Sequence, residues 1–331
     1  MSFIVNGADW DFNNILPKEV AALIEKALAF IATSSERDEE VAVGDDFQTR
    51  PMCGTLTLWD LFSPNGPLWP HRELSEELVA WLSKAPRYAD AYSWPIGFEG
   101  NAVSVAGSPA QLNTEIEWVH FAVLEKKPVA CFTLGDAKIV STTTLTESTL
   151  VHFVSDEMSR KTFWRDAIVL VGDDLKDLQF YASHAYPNLY FVDNVINNAA
   201  KLVGGYNALR DRVKNALAVL DDWGEWIFKH PPPAIKPSER QQSDPDTLPN
   251  KQIIQRRLTA MKLEAAPENP NVRCKRVSRE ARETVLSGKV LYCEWHIKLE
   301  PHQNRIHFHA PVSVSDNKVV IGMIDKHLPL P

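Results

Sequence analysis

Apolar residues recur at helical spacing over residues 17–31 (PKEVAALIEKALAFI), with a proline in the first turn, where its missing N–H is not needed. The same spacing predicts a helix over residues 74–82 (LSEELVAWL) and a long one over residues 207–228. Another is predicted to start near Ser108 and Pro109 and run through EIEWVHFAVLEKK. Short unbroken apolar runs at residues 128–134 (PVACFTL), 167–171 (AIVLV) and 189–192 (LYFV) read as buried strands. A helix over residues 175–185 falls between the last two, giving residues 164–193 a strand–helix–strand rhythm. Residues 1–230 are therefore expected to form an α/β region with Rossmann-like elements, without internal repeats.

Residues 230–250 (HPPPAIKPSERQQSDPDTLPN) break every period. They hold six prolines and no aromatic residue, and read as an extended linker over residues 231–249. Residues 250–331 beyond it suffice for one small domain. Two helices are predicted there, over residues 250–263 and 278–286, before a run of strands.

The strands carry the clearest pattern in the chain. In residues 290–299, Cys293, Trp295, Ile297 and Leu299 alternate with Glu294, His296 and Lys298. In residues 304–310, Ile306, Phe308 and Ala310 alternate with Arg305, His307 and His309. Side chains on a strand point to opposite faces in turn. An antiparallel pair turning at residues 300–303 must place both apolar sets on one face, because a slip of one residue would bury charge. The other face then gathers Glu294, His296, Lys298, Arg305, His307 and His309. A third strand over residues 318–324 leads to Asp325, Lys326 and His327.

Composition narrows the class. The chain has 331 residues, 44% hydrophobic and 24% charged, as in soluble globular proteins of about two domains. No apolar run approaches the roughly 18 residues needed to span a bilayer, and the start lacks a signal-peptide pattern. Cys53, Cys131, Cys274 and Cys293 lie far apart and read as free thiols, so a cytoplasmic location and no membrane partner are expected. Charge is segregated. Residues 250–331 hold 14 Lys and Arg against 8 Asp and Glu, and residues 1–249 hold 21 against 35. A basic block suits a polyanion such as RNA, and an acidic block on the same chain could shield it.

Candidate chemistry is uneven. The N-terminal region has no phosphate-binding glycine loop, nucleophile elbow or HExxH. Asp173 and Asp174 end an apolar run, where α/β folds hold ligands, but capping of the next helix is the favoured reading. The polar sheet face admits three readings. One is an ordinary solvent-facing surface. A second is a zinc site on His296, His307 and His309 with a carboxylate, which the neighbouring Arg305 and Lys298 oppose. The third is metal-free RNA cleavage, in which a base activates the 2′-hydroxyl, an acid protonates the leaving oxygen and an arginine holds the phosphate. All the residue types for the third are present, and it calls for no cofactor and no metal.

The segments EWHIKLE, NRIHFHA and VVIGMIDKHLP resemble the C-terminal half of the RelE-like ribonuclease toxins, the RelE/YoeB/HigB group. The resemblance covers about 45 residues, or about 80 if the two preceding helices form the family's helical layer. It implies a small α+β domain with an antiparallel sheet over residues 250–331. It also implies an endoribonuclease that needs no metal. Arg305 matches the family's phosphate-contacting arginine, and His327 matches the C-terminal histidine that acts as general acid. His307 is an alternative acid. Glu294 and Glu283 are the candidates for the base. His296, Lys298, His309 and Lys326 are expected to contact RNA, the three histidines of the sheet face departing from the family pattern. The expected protein is a regulated toxin or antiviral defence effector acting on RNA, free or on the ribosome. Its acidic region would restrain or sense, through an inhibitor protein or a small-molecule activator, and an oligomer is compatible with the reading. The alternatives are a non-catalytic nucleic-acid-binding regulator and a metal-dependent hydrolase.

Overall fold

The computed structural model describes residues 1–230 and 249–330. The predicted linker therefore lies outside the described residues except at Pro249. The protein is α/β, with two compact units, Met1–Val171 and Gly172–Pro331. No helix among the described residues is long and apolar enough to cross a membrane.

In the first unit, β1 (Phe3–Val5), α1 (Pro17–Glu36), β2 (Val41–Ala42), α2 (Leu58–Leu61) and α3 (Arg72–Leu82) come first. They are followed by β3 (Ala102–Val105), β4 (Gln111–Leu112), α4 (Thr114–Leu124), β5 (Ala130–Phe132), β6 (Lys138–Thr143), β7 (Ser148–Val154) and α5 (Glu157–Val171). One seven-stranded sheet has the order β2-β1-β5-β7-β6-β3-β4. Its first four strands are parallel, and β6, β3 and β4 extend it in antiparallel fashion. Phe3, Ile4 and Val5 are all fully buried, as expected of a strand covered on both faces.

Two predicted elements differ here. The helix expected from Ser108 begins only at Thr114, because the Asn113 side chain accepts the Ile116 N–H at 2.9 Å and caps it. Residues 167–171 are not a strand but the last turn of α5. Phe163, Trp164, Ala167 and Ile168 are buried together, which is helical spacing, and a short apolar run alone cannot distinguish the two.

The second unit opens with α6 (Leu175–Ala185), β8 (Leu189–Phe191) and α7 (Gly205–Phe228). Asp174 caps α6, accepting the N–H groups of Lys176 and Asp177 at 2.8 and 3.0 Å, while Asp173 binds Lys214 at 2.7 Å. Then come α8 (Lys251–Ala260), β9 (Ala265–Pro267), α9 (Pro270–Cys274), α10 (Arg276–Glu280), β10 (Glu283–Leu286), β11 (Lys289–Tyr292), β12 (Trp295–Lys298), β13 (Asn304–His309) and β14 (Val319–Lys326). The central sheet has the order β8-β14-β13-β12-β9 and is antiparallel except for the parallel pair β8–β14. Thus α6, β8 and α7, which the sequence places with the acidic N-terminal region, belong to the unit that contains the C-terminal strands. Gly224 lets α7 lie close to the sheet: a Cβ there would meet Val319 Cγ2 at 2.8 Å.

The predicted helix over residues 278–286 is also replaced. Only Arg276–Glu280 is helical, and Glu283–Leu286 pairs with Lys289–Tyr292 as a hairpin. Its two-residue turn, Ser287-Gly288, has φ of 49° and 76°, the left-handed geometry that such hairpins need. The predicted strand over residues 290–299 breaks at Cys293 and Glu294 into β11 and β12, which join different sheets.

β14 contains a bulge. Its pairing with β13 shifts between His307 and Phe308, which face Met323 and Ile321, so Gly322 is the extra residue. No side chain fits there, because a Cβ on Gly322 would lie 2.3 Å from Cys293 Sγ.

Candidate functional site

The register of β12 and β13 is the one their alternation requires: Trp295 faces Phe308, His296 faces His307, Ile297 faces Ile306 and Lys298 faces Arg305. The polar face, however, is not solvent-facing. His307 is fully buried and His296 and Arg305 are each 8% exposed. Burial of such groups is costly unless something neutralises or pairs them.

Two residues absent from the sequence reading meet these side chains. Glu268 follows β9, and Arg282 lies between α10 and β10. Glu268 Oε1 lies 3.0 Å from His296 Nδ1, 3.4 Å from His307 Nδ1 and 3.0 Å from Arg282 Nε. Arg282 is 1% exposed and donates from Nη1 to the carbonyls of Ser278 at 2.8 Å and Pro329 at 3.1 Å. That second bond ties the C-terminal tail beside the cluster. The His296 and His307 rings are 5.5 Å apart. Despite these approaches, His296 Nδ1, both ring nitrogens of His307 and Arg305 Nη1 make no aligned hydrogen bond.

Electrostatics follow from this packing. Burial pushes His307 down to about 3, more than the Glu268 carboxylate restores, so its ring is neutral at physiological pH. Burial would raise Glu268, but the polar contacts and charges of His296 and Arg282 outweigh it and hold the carboxyl down at about 2. Arg305 is lowered by desolvation yet stays charged, with Glu268 acting in the opposite direction. His327 is also lowered, first by desolvation and then by the charge of Arg305, and its Nδ1 lies 2.9 Å from the Leu328 carbonyl. In its neutral form that contact makes Nδ1 the N–H and leaves Nε2 as a free acceptor.

The other predicted residues are placed differently. Glu294 sits 2.5 Å from Lys251 Nζ and Glu283 sits 3.1 Å from Arg279 Nε, both outside the trio of Glu268, His296 and His307. Lys298 pairs with Glu264 at 2.5 Å. His309 Nδ1 turns back to the Ala310 carbonyl at 2.6 Å, and Lys326 is exposed. Asp325, opposite Arg305 in register, accepts the Lys326 N–H at 2.7 Å.

Glu268 and Arg282 gave no sequence signal. Glu268 lies in the turn PENP and Arg282 is one of several basic residues in RVSREARETV, so neither breaks a period. No family model, no curated protein and no solved structure matches the chain.

Proposed function

We propose that the second unit is a ribonuclease that works without a metal ion, of the kind the RelE-like resemblance implies. One observation carries the reading. The Glu268 carboxylate, its side chain 7% exposed, contacts His296, His307 and Arg282, with the buried guanidinium of Arg305 on the same sheet face, and the cluster retains polar nitrogens without aligned partners. Guanidiniums with unfilled donors beside imidazoles suit an anion, and a phosphodiester is the anion that an acid–base set of imidazoles can cleave.

The roles follow from the geometry. Arg305 holds the scissile phosphate and stabilises the charge that builds on it. His327, neutral with a free Nε2, takes the proton of the 2′-hydroxyl, which reverses its expected role as acid. His296 protonates the departing 5′-oxygen, its ring oriented through Nδ1 by Glu268. His307, sealed from solvent, acts as a positioning residue that packs under His296. Residues 1–171, with 24 Asp and Glu against 13 Lys and Arg, are assigned the restraining or sensing role.

The test is cleavage of RNA by the full chain in EDTA, alone and with translating ribosomes. Products ending in 2′,3′-cyclic phosphate are expected, with rates about 10²- to 10⁴-fold lower in His296→Ala or His327→Ala. Absence of cleavage under both conditions would sink the reading.

A second reading has its own observation. Glu268, His296 and His307 offer three ligand atoms within 4.8 Å of one another, and tetrahedral zinc with bonds of about 2.0–2.1 Å needs ligand separations of about 3.3 Å. The donor set fits, and a bound ion would polarise a phosphate oxygen or a water. The flanking guanidiniums of Arg282 and Arg305 oppose it. Stoichiometric zinc in the purified chain, with activity lost in chelator, would favour this alternative.

A further inference from the structure

Beside the cluster lies a second feature that the proposed chemistry does not use. A pocket of about 290 Å³ is lined by Arg273, Lys289, Tyr292, Glu294 and His309, with Val290, Leu291 and Val312 completing the wall. Its size is at the small end for ligand sites. His309 is two residues from His307 on β13, and Glu294 immediately precedes β12, two residues before His296, so the pocket lies roughly 7 Å along the sheet from the cluster.

Three details give this pocket a chemistry. The Arg273 guanidinium lies 5.2 Å from the centre of the Tyr292 ring, a pairing of cation and aromatic face on which a planar base can stack. The Tyr292 hydroxyl is buried without a hydrogen-bond partner. Burial raises its pKa, with the charge of Glu268 adding to the rise. Finally, Glu294 is the one carboxylate in the lining; Lys251 Nζ pairs with its Oε1 at 2.5 Å, and its remaining lone pairs are left to accept from a ligand. A carboxylate accepts hydrogen bonds only. Among the four bases, guanine alone presents two adjacent N–H donors, N1–H and N2–H, on its pairing edge.

We infer that this pocket is a nucleoside subsite that stacks the base flanking the scissile phosphate on Tyr292 and Arg273 and prefers guanine through Glu294. The inference rests on the ribonuclease reading for the identity of the polymer, but not for its test. Binding of the four free nucleosides to the full chain would be measured by calorimetry, without any cleavage. Guanosine should bind about tenfold more tightly than adenosine, cytidine or uridine. Tyr292→Ala and the exposed Arg273→Ala should each weaken it about tenfold, the loss of one stacking partner. Tyr292→Phe should retain it. Glu294→Gln should erase the preference for guanosine while leaving adenosine binding as it was. Equal binding of all four nucleosides, or indifference to both Arg273→Ala and Tyr292→Ala, would overturn the subsite even if RNA is cleaved. Guanosine binding that follows this pattern in a chain that cleaves no RNA would keep the subsite and remove the nuclease.

Discussion

Each unit contains a buried carboxylate against a buried arginine, and the two are balanced differently. In the first unit Glu39 lies 3.1 Å from Arg160 and accepts Trp164 Nε1–H at 2.7 Å. Arg160 also donates to the Phe30 carbonyl at 2.9 Å and stands 3.9 Å over the Phe30 ring. Glu39 and then Glu157 offset the burial of Arg160, and aromatic faces lie against its guanidinium. In the second unit Glu268 pairs with Arg282 and, with Glu264, offsets Arg305, beside two imidazoles of which His296 Nδ1 and both His307 nitrogens lack aligned partners. In the first arrangement Arg160 Nε and Nη1 also make no aligned hydrogen bond, so such atoms alone do not mark a functional site. The second differs in holding two imidazoles beside its charges. Burial of charge is thus not in itself the mark of a functional site; the mark is burial together with groups that can move a proton.

The largest test of this contrast is a truncation. A chain of residues 249–331 alone lacks β8, which pairs with β14, and α7, which lies against it. It should not give a cooperative thermal transition, whereas residues 172–331 should. Next, Glu268→Ala leaves the buried Arg282 without its carboxylate and should cost about 3–5 kcal/mol in urea unfolding. The comparison sharpens with one substitution made in both units. Arg160→Met removes an ion-pair partner of Glu39 and should cost about 3 kcal/mol, while Arg305→Met removes a guanidinium that burial disfavours and should be neutral or stabilising by about 1 kcal/mol, with RNA cleavage lost.

Acid should act more gently. His307 binds its proton at about 3 in the folded chain against an ordinary 6.5, so unfolding takes up a proton as pH falls. Stability should be full above about pH 6.5 and decline toward pH 3, with Glu268, held at about 2 against 4.5, adding to the loss below about pH 4.5. His307→Gln should flatten the upper part of that slope in urea midpoints taken from pH 7.5 to 4. The smallest effect is the most direct. Inorganic phosphate at ten times its dissociation constant should stabilise the second unit by about 1.4 kcal/mol, and Arg305→Met should abolish that gain.

Much of the frame was legible from the sequence. α1, α3, α6 and α7 were visible because their apolar stripes hold one period, and the β12–β13 register because strict alternation keeps both apolar sets on one face. The errors share a cause. AIVLV is too short to distinguish helix from strand, and the Ser287-Gly288 turn was outweighed by the helical composition around it. The Ser- and Thr-rich hairpin β6–β7 went unread because its outer face carries little apolar alternation. The site was half visible. His296, Arg305, His307 and His327 stand out by type and spacing, while Glu268 and Arg282 reach the cluster only through tertiary folding.

The extra residue in β14 has an effect out of proportion to its size. Beyond Gly322, Met323 and Asp325 share the face of His307 and Arg305, and the next residue in that phase is His327. Before the bulge, that face is held by Val320, opposite His309. Counted straight through from Val320, the alternation would present Lys326 at the end and turn His327 away. One glycine therefore works as a parity bit for the last strand. Deleting Gly322 should close the bulge and keep His327 on that face, whereas a strand in which Gly322 took a place in the ladder would exchange an imidazole for an ammonium there.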